Sequence, residues 1–197
     1  MQDTAENILG YLRRWIAKKS RATRNAAILK KLGEITSGKE KVIAGYDDIK
    51  DVLNVALDPS IAASSVIVTN QDGFNYLDKI KDSDGKYILQ PDVTDKSQML
   101  LFGVHPVKKL SNKTLKSTEV KNGSQQVTAY KYPIYIGDLK EAITLFDREK
   151  MTVELSTEAG NLWEKDQTGI KVRDRFDVQA VDTAAVVKGE ITVKVAG

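Results

Sequence analysis

The apolar positions near the start of the chain recur with helical spacing. Between residues 4 and 32 they are separated by three, four or seven residues, which places them on one stripe of a helix. They are Ile8, Leu12, Trp15, Ala22, Ala26 and Leu29. Thr4 is a suitable N-cap and Gly33 a suitable stop. At about 1.5 Å per residue the helix 4–32 would be roughly 40 Å long, which favours an elongated spine.

Shorter elements follow this helix. Residues 47–57 have the pattern of a second helix, which Pro59 closes. Residues 64–70 form a continuous β-branched run, which is typical of a strand buried on both faces. Asn70 or Asp72 then caps another helix.

The second half of the chain is rich in predicted strands. They are expected at 100–107 with a break at Gly103, at 132–148 with a Gly-Asp turn, and at 151–157, 171–182 and 191–195. The strand 171–182 alternates between a charged face and an apolar face, and Asp174 interrupts the apolar face. Asn122-Gly123 predicts the tip of a hairpin or loop.

Composition excludes several classes of protein. With 197 residues the chain can form one domain or two packed subdomains, and a net charge of +3 does not by itself imply a nucleic-acid partner. No apolar run approaches the roughly 20 residues that a membrane span needs, so we expect no membrane partner. The absence of cysteine excludes disulfides, thiolate zinc sites and a cysteine nucleophile.

The acidic segment Asp82-Ser83-Asp84-Gly85 allows two interpretations, a metal site or a turn. A calcium loop spreads its ligands over about twelve residues and ends in a bidentate glutamate, which does not arrive here. Asp-Gly before an apolar run is a turn signal. We therefore predict a turn and no metal.

No catalytic site emerges from the motifs. The sequence contains no glycine-rich phosphate loop and no Gly-x-Ser-x-Gly turn. Its single histidine, His105, precedes Pro106 within an apolar run and is predicted to be a strand-end residue with one hydrogen bond. We expect no catalytic residue and no cofactor, and hence a protein that is not an enzyme.

The first helix carries cations without any acidic residue between Asn7 and Gly33. They are Arg13, Arg14, Lys18, Lys19, Arg21, Arg24, Lys30 and Lys31. This stripe is either a solvated helix face or a surface for nucleic acid or an acidic partner. No aromatic residues alternate with the charges as they do on a base-stacking platform.

Several weak motifs occur in a shared order. Residues 65–89 contain a strand, an asparagine, a helix, an Asp-Gly turn and a tyrosine-bearing strand. A Leu-Phe-Gly…Pro-Val segment at 101–107 and an aromatic–Ile–Gly-Asp segment at 135–138 follow. Asp147-Arg148 and the arginine-rich strand of 173–188 come last. In this order the chain, over roughly residues 1–195, resembles the major capsid protein of tailed bacteriophages and prophages, which has the Hong Kong ninety-seven-like fold.

The resemblance implies an α+β fold with a long spine helix, a peripheral domain and an axial sheet domain. Residues 1–57, with the spine helix 4–32, would form the peripheral domain, and a return strand near 171–182 would complete it. Residues 58–170 would form the axial domain. The C-terminal strand, 183–197, is left unassigned.

The resemblance also implies a structural subunit of an icosahedral shell. Such subunits assemble in the host cytoplasm into pentamers and hexamers and enclose double-stranded DNA in the virion. The partners would be other copies of the chain and, non-specifically, the packaged DNA. Candidate subunit-contact residues are Arg13, Arg14, Lys18, Arg21, Arg173 and Arg175.

Family members usually carry an N-terminal arm and an extended loop ahead of the spine helix. Neither is found in this sequence, so we expect a trimmed core that is a monomer or small oligomer in solution. Two alternatives stay open. One is the shell protein of an encapsulin-type nanocompartment, and the other is a nucleic-acid-binding module that uses the basic helix 13–31.

Overall fold

The computed structural model describes residues 5–194, except for the side chains of residues 5–9 and 150. The helices are α1 (Ala5–Thr36), α2 (Tyr46–Asp51), α3 (Pro59–Ala63), α4 (Gln71–Lys79) and α5 (Leu139–Ala142), with a π-helical segment at Val52–Ala56. The strands are β1 (Lys41–Ile43), β2 (Val66–Asn70), β3 (Leu89–Pro91), β4 (Met99–Leu101), β5 (His105–Leu110), β6 (Thr118–Lys121), β7 (Val127–Gly137), β8 (Ile143–Ser156), β9 (Gly169–Ala180) and β10 (Val186–Lys194). The mixture confirms the α+β class.

The chain folds into two compact units. The helix–ribbon unit comprises the chain up to Ile28 together with Leu145–Gln179. The sheet unit comprises Leu29–Thr144 and the chain from Ala180 onward. These bounds differ from the 1–57 and 58–170 division made from the sequence, since β8 pairs with β9 and not with the large sheet. The assignment of a peripheral and an axial domain stays a prediction.

The sheet unit is built around the long strand β7. The strand order is β1-β10-β7-β2-β5-β4-β3, and β6 also pairs with β7. Strand β7 is antiparallel to both β10 and β2, whereas β2 and β5 run parallel. Ile67, Ile134 and Ile191 are fully buried on β2, β7 and β10 and belong to one aliphatic core with Ile49 and Leu77 from the helices.

The helix–ribbon unit consists of most of α1 and the two-stranded ribbon β8–β9. The predicted apolar stripe of α1 is wrong, because Trp15, Ala22 and Ala26 are exposed. The less exposed positions instead include Ile16, which is buried, and the half-buried polar residues Ser20 and Arg24. The spacing of apolar residues does not reveal this face, because two of its members, Ser20 and Arg24, are polar. They are half-buried because they form hydrogen bonds with the ribbon.

The end of α1 also differs from the prediction. The helix continues through Gly33 and ends at Thr36. The turn that follows uses Gly38, whose φ of +75° is in the left-handed region that glycine tolerates, and the Lys39 amide donates to the Thr36 carbonyl at 3.2 Å. Leu32, at 1% exposure, is packed in the sheet unit, and this burial favours the additional helical turn. The predicted N-cap, Thr4, lies outside the described residues.

Local signals after β2 are confirmed. The Asn70 side chain caps α4, since its Oδ1 accepts a hydrogen bond from the Gly73 amide at 2.8 Å. Asp82 closes the acidic turn, because its Oδ1 accepts from the amides of Asp84 at 3.0 Å and Lys86 at 2.8 Å. Gly85 completes that turn with φ +80°. The segment Asp82–Gly85 is therefore a turn held by its own side chain.

Candidate subunit-contact surface

Arg24 joins α1 to both strands of the ribbon. Its Nη2 lies 2.6 Å from Asp174 Oδ1 and 3.1 Å from Asp147 Oδ1, and its Nη1 lies 3.2 Å from Asp147 Oδ2. Ser20, one turn earlier, donates to Asp174 Oδ2 at 2.5 Å. The guanidinium also lies 5.2 Å from the centre of the Phe176 ring. We call these five residues the Arg24 tether.

The charges of the Arg24 tether stabilise one another. Hydrogen bonds from Arg24 and then Ser20 hold the pKa of Asp174 below its usual value. The same contacts, with Asp174 first and Asp147 second, raise the pKa of Arg24. A planar guanidinium with several donors suits two carboxylates at once, whereas a lysine ammonium would not reproduce this arrangement.

The sequence contains one signal for the Arg24 tether, the position of Asp174. Asp174 breaks the apolar face of its strand, and a charge on such a face needs a partner. That partner is Arg24, which lies 150 residues earlier in the chain and which the sequence pattern shows only as one cation of the basic stripe. Sequence spacing alone cannot match two residues at this separation.

The predicted contact residues on α1 lie together on its surface. Arg13, Arg14, Lys18 and Arg21 are all exposed. Within the part of the chain that the structure describes, none of them makes an ion pair. We call these four residues the cationic row. They differ from Arg24 on the same helix, which is paired with two carboxylates of the chain.

The two predicted contact residues on β9 are paired within the chain. Arg173 forms an ion pair with Glu154 of β8. The Nε atom of Arg175 lies 3.7 Å from Glu149 Oε2, and the arginine side chain is 71% exposed. The sequence did not predict these cross-strand pairs, which are surface contacts that span the ribbon.

A small groove lies between α1 and the ribbon. Its volume is about 290 Å³, and its apolar lining includes Ile16 and Trp15 from the helix with Met151, Val172 and Phe176 from the strands. Trp15 is 48% exposed, so half of a large aromatic side chain faces solvent here. We call this feature the Trp15 groove.

Among residues 5–194, no group of three or more histidine, aspartate or glutamate side chains is placed to hold a metal ion. The ring of His105 lies at the start of β5, with Nδ1 3.0 Å from the Ser65 hydroxyl, as predicted for a strand-end residue. No helix within the described part of the chain is long and apolar enough to cross a membrane.

Comparison with known proteins identifies the family. The sequence matches the phage capsid family over residues 1–191. The chain belongs to that family. No curated protein matches the sequence at a significant level. The resemblance inferred from the order of motifs is therefore confirmed.

Solved structures show the same fold. The capsid of an empty GTA particle superposes with a TM-score of 0.65 at 17% identity, covering 96% of this chain and 68% of that one. A chain of Microbacterium phage Oxtober96 superposes with a TM-score of 0.65 at 18% identity, covering 96% and 66%. The chain thus spans about two thirds of the length of these capsid chains. It is a structural capsid protein with the phage capsid fold.

Proposed function

We propose that this capsid protein assembles with copies of itself into pentamers and hexamers that close an icosahedral shell around double-stranded DNA. Family membership supports assembly into a shell. The structure of the native GTA capsid, to which the chain is similar with a TM-score of 0.63, was computed with C5 symmetry, which suits a ring of five subunits. Rings of this kind need heterologous contacts, in which two different surfaces of the subunit meet.

The exposed cationic row carries this proposal. Arg13, Arg14, Lys18 and Arg21 have no acidic partner within the described residues, although Arg24 on the same helix has two. Like charges spaced three or four residues apart, as at Arg14, Lys18 and Arg21, weaken an isolated helix. We infer that acidic groups of a neighbouring subunit compensate these charges in the shell.

Arg173 and Arg175 belong to the same proposed contact surface. Both side chains are largely exposed, at 44% and 71%, and each uses one carboxylate of β8. A guanidinium carries five N–H donors, so each arginine retains donors for a second carboxylate. Many weak polar contacts of this kind let a misplaced subunit dissociate, which helps a closed shell to form without errors.

Assembly into a shell assigns a function to each unit and a content to the particle. The helix–ribbon unit would serve as the peripheral domain and the sheet unit as the axial domain around the five-fold and six-fold axes. DNA would be enclosed through non-specific contacts, and assembly would take place in the host cytoplasm. We propose that the protein has no catalytic function, in line with the structural function of its family.

Charge reversal in the cationic row tests the proposal. The triple substitution R13E, R14E and K18E should abolish shells while the monomer stays folded, because these side chains make no ion pair within the described chain. Electron microscopy of the purified product would detect the shells, and circular dichroism would report the fold.

The matched control is K79E, K113E and K116E in the sheet unit, which makes the same change of net charge at exposed lysines. This control should still assemble. Shells of normal size and yield from the cationic-row variant would contradict the assignment of that row to subunit contacts.

A further inference from the structure

The two strands of the ribbon are joined by a loop that exposes a second tryptophan. Residues 157–168 connect β8 to β9, and Trp163 within them is 77% exposed. The loop is held by its own backbone, since the amides of Gln167 and Lys165 donate to the Leu162 carbonyl at 3.0 and 3.2 Å. The Leu162 side chain packs against the backbone of Gly169, where an added Cβ would lie 2.7 Å from its Cδ1. We call this segment the Trp163 loop.

An exposed tryptophan in a self-bonded loop has the features of a binding contact. Transferring its large apolar surface from water is favourable, and tryptophan is enriched among the residues that dominate protein interfaces. Because the loop conformation is already formed by its own hydrogen bonds, little entropy is lost when it docks.

The charges of the Trp163 loop are acidic. Glu158, Glu164 and Asp166 are exposed and make no ion pair within the described chain. Lys165 is the one cation of the loop. A partner of the loop is therefore expected to offer an apolar recess with a positive border.

The Trp15 groove has this complementary character. Lys19 lies over the Trp15 ring, with Nζ 5.6 Å from the ring centre, and lines the groove. Lys18 is exposed on the same face of α1, three residues after Trp15. A volume of about 290 Å³ is at the lower limit of small-molecule sites and suits one large side chain.

We propose that Trp163 of one copy inserts into the Trp15 groove of a neighbouring copy, with Glu164 and Asp166 facing Lys18 and Lys19. The contact joins two different surfaces of the same chain, so it can propagate around a closed ring of subunits. This inference rests on the proposed self-assembly. It also gives Lys18 of the cationic row an acidic partner on the neighbouring copy.

A second copy is the occupant because both complementary surfaces belong to this chain. The groove is lined by Lys19 and an exposed aromatic ring, and its one carboxylate, Asp174, is already paired with Arg24. The loop carries an aromatic ring and unpaired carboxylates. Opposite charges at the border of an interface steer the partners and set the register, while the buried tryptophan supplies most of the affinity.

Disulfide trapping tests this contact, and the absence of natural cysteine makes every engineered thiol unambiguous. One chain carries N161C, an exposed and uncharged loop position that leaves Trp163 in place, and a second chain with a distinguishing size tag carries T23C in the wall of the groove. The two are expressed together and oxidised mildly. We expect a mixed disulfide between the two chains on a non-reducing gel.

The control pairs N161C with V42C, a position at 70% exposure in the sheet unit. It should give several-fold less mixed disulfide than the pair of N161C and T23C. Assembled particles without the expected cross-link would overturn this inference and leave self-assembly standing. Failure of the unsubstituted protein to assemble under any condition would overturn both.

Charge exchange gives an independent readout that does not remove the tryptophan. K18E with K19E, or E164K with D166K, should each lower association several-fold, as measured by mass photometry. Combining all four substitutions restores opposite charges and should recover association. If the combined variant is no better than either pair, the proposed pairing of these charges is wrong.

Discussion

The sheet unit and the helix–ribbon unit are stabilised in different ways. In the sheet unit, strands β2, β7 and β10 contribute to a large aliphatic core, and the buried polar residues Thr69 and Asn70 of β2 are hydrogen-bonded. In the helix–ribbon unit, the described residues include only two buried apolar side chains, Ile16 and Val178. That unit relies on the Arg24 tether and leaves Trp15 and Trp163 exposed.

This difference follows from the number of layers that each unit contains. A sheet with helices packed on it removes whole side chains from water, while one helix on a two-stranded ribbon cannot. The apolar and charged groups that the helix–ribbon unit leaves exposed are therefore available to a neighbouring subunit. A thin unit of this kind gains stability when it is covered by its partners.

The largest loss of stability is expected when a cavity is made in the core of the sheet unit. Ile134 is fully buried, so I134A should lower the free energy of unfolding by about 2–5 kcal/mol. V172A on the ribbon removes a side chain that is 40% exposed and should stay within about 0.5 kcal/mol. Urea denaturation of both variants measures the difference, and equal losses would contradict the contrast between the units.

Replacing one glycine in each unit by alanine should change stability in opposite directions. In G189A the new Cβ would lie 2.7 Å from Ile43 Cγ1 and 2.9 Å from Ile134 Cγ2, so overpacking should cost about 1–3 kcal/mol. In G10A nothing lies within 4 Å of the new Cβ, and removing a glycine from the interior of α1 should stabilise by about 0.5–1 kcal/mol. Thermal unfolding of the two variants compares them, and a stabilising G189A would refute the tight packing.

Loss of the Arg24 tether should affect one unit alone. R24Q leaves Asp174 without its main partner, so amides of β8 and β9 should exchange with deuterium several-fold faster, while those of β7 and β10 stay unchanged. The control is R21Q on the same helix, an exposed arginine without an ion pair in the described chain, which should exchange as the unsubstituted protein does. Faster exchange throughout the sheet unit would show that the tether supports more than the ribbon.

The smallest expected effect depends on pH. Because the folded pKa of Asp174 is lowered, its ionised form stabilises the fold above the unfolded pKa of about 3.9, and this contribution is lost as pH falls through the lower folded value. Trp15 lines the adjacent groove, so its fluorescence should change below about pH 4. W163F removes the signal of the other tryptophan. In D174N with W163F the change should be absent, and an unaltered transition would assign it to another carboxylate.

Local features of the fold could be predicted from nearby residues. The cap by Asn70, the turn by Asp82 and the break at Gly103 each depend on side chains and backbone groups a few positions apart. The fold class came from the order of motifs, which resembled a known family. The buried face of α1 and its end at Thr36 could not be predicted, because both depend on packing against distant segments.

The order of the main elements and the excess of cations on α1 can be read from the sequence alone. Which of those cations is neutralised depends on packing, because Arg24 meets carboxylates 123 and 150 residues away while Arg13, Arg14 and Lys18 meet none among the described residues. Periodicity and capping are encoded over single turns of chain. Pairing between distant residues is set by how whole elements pack, which no local pattern records.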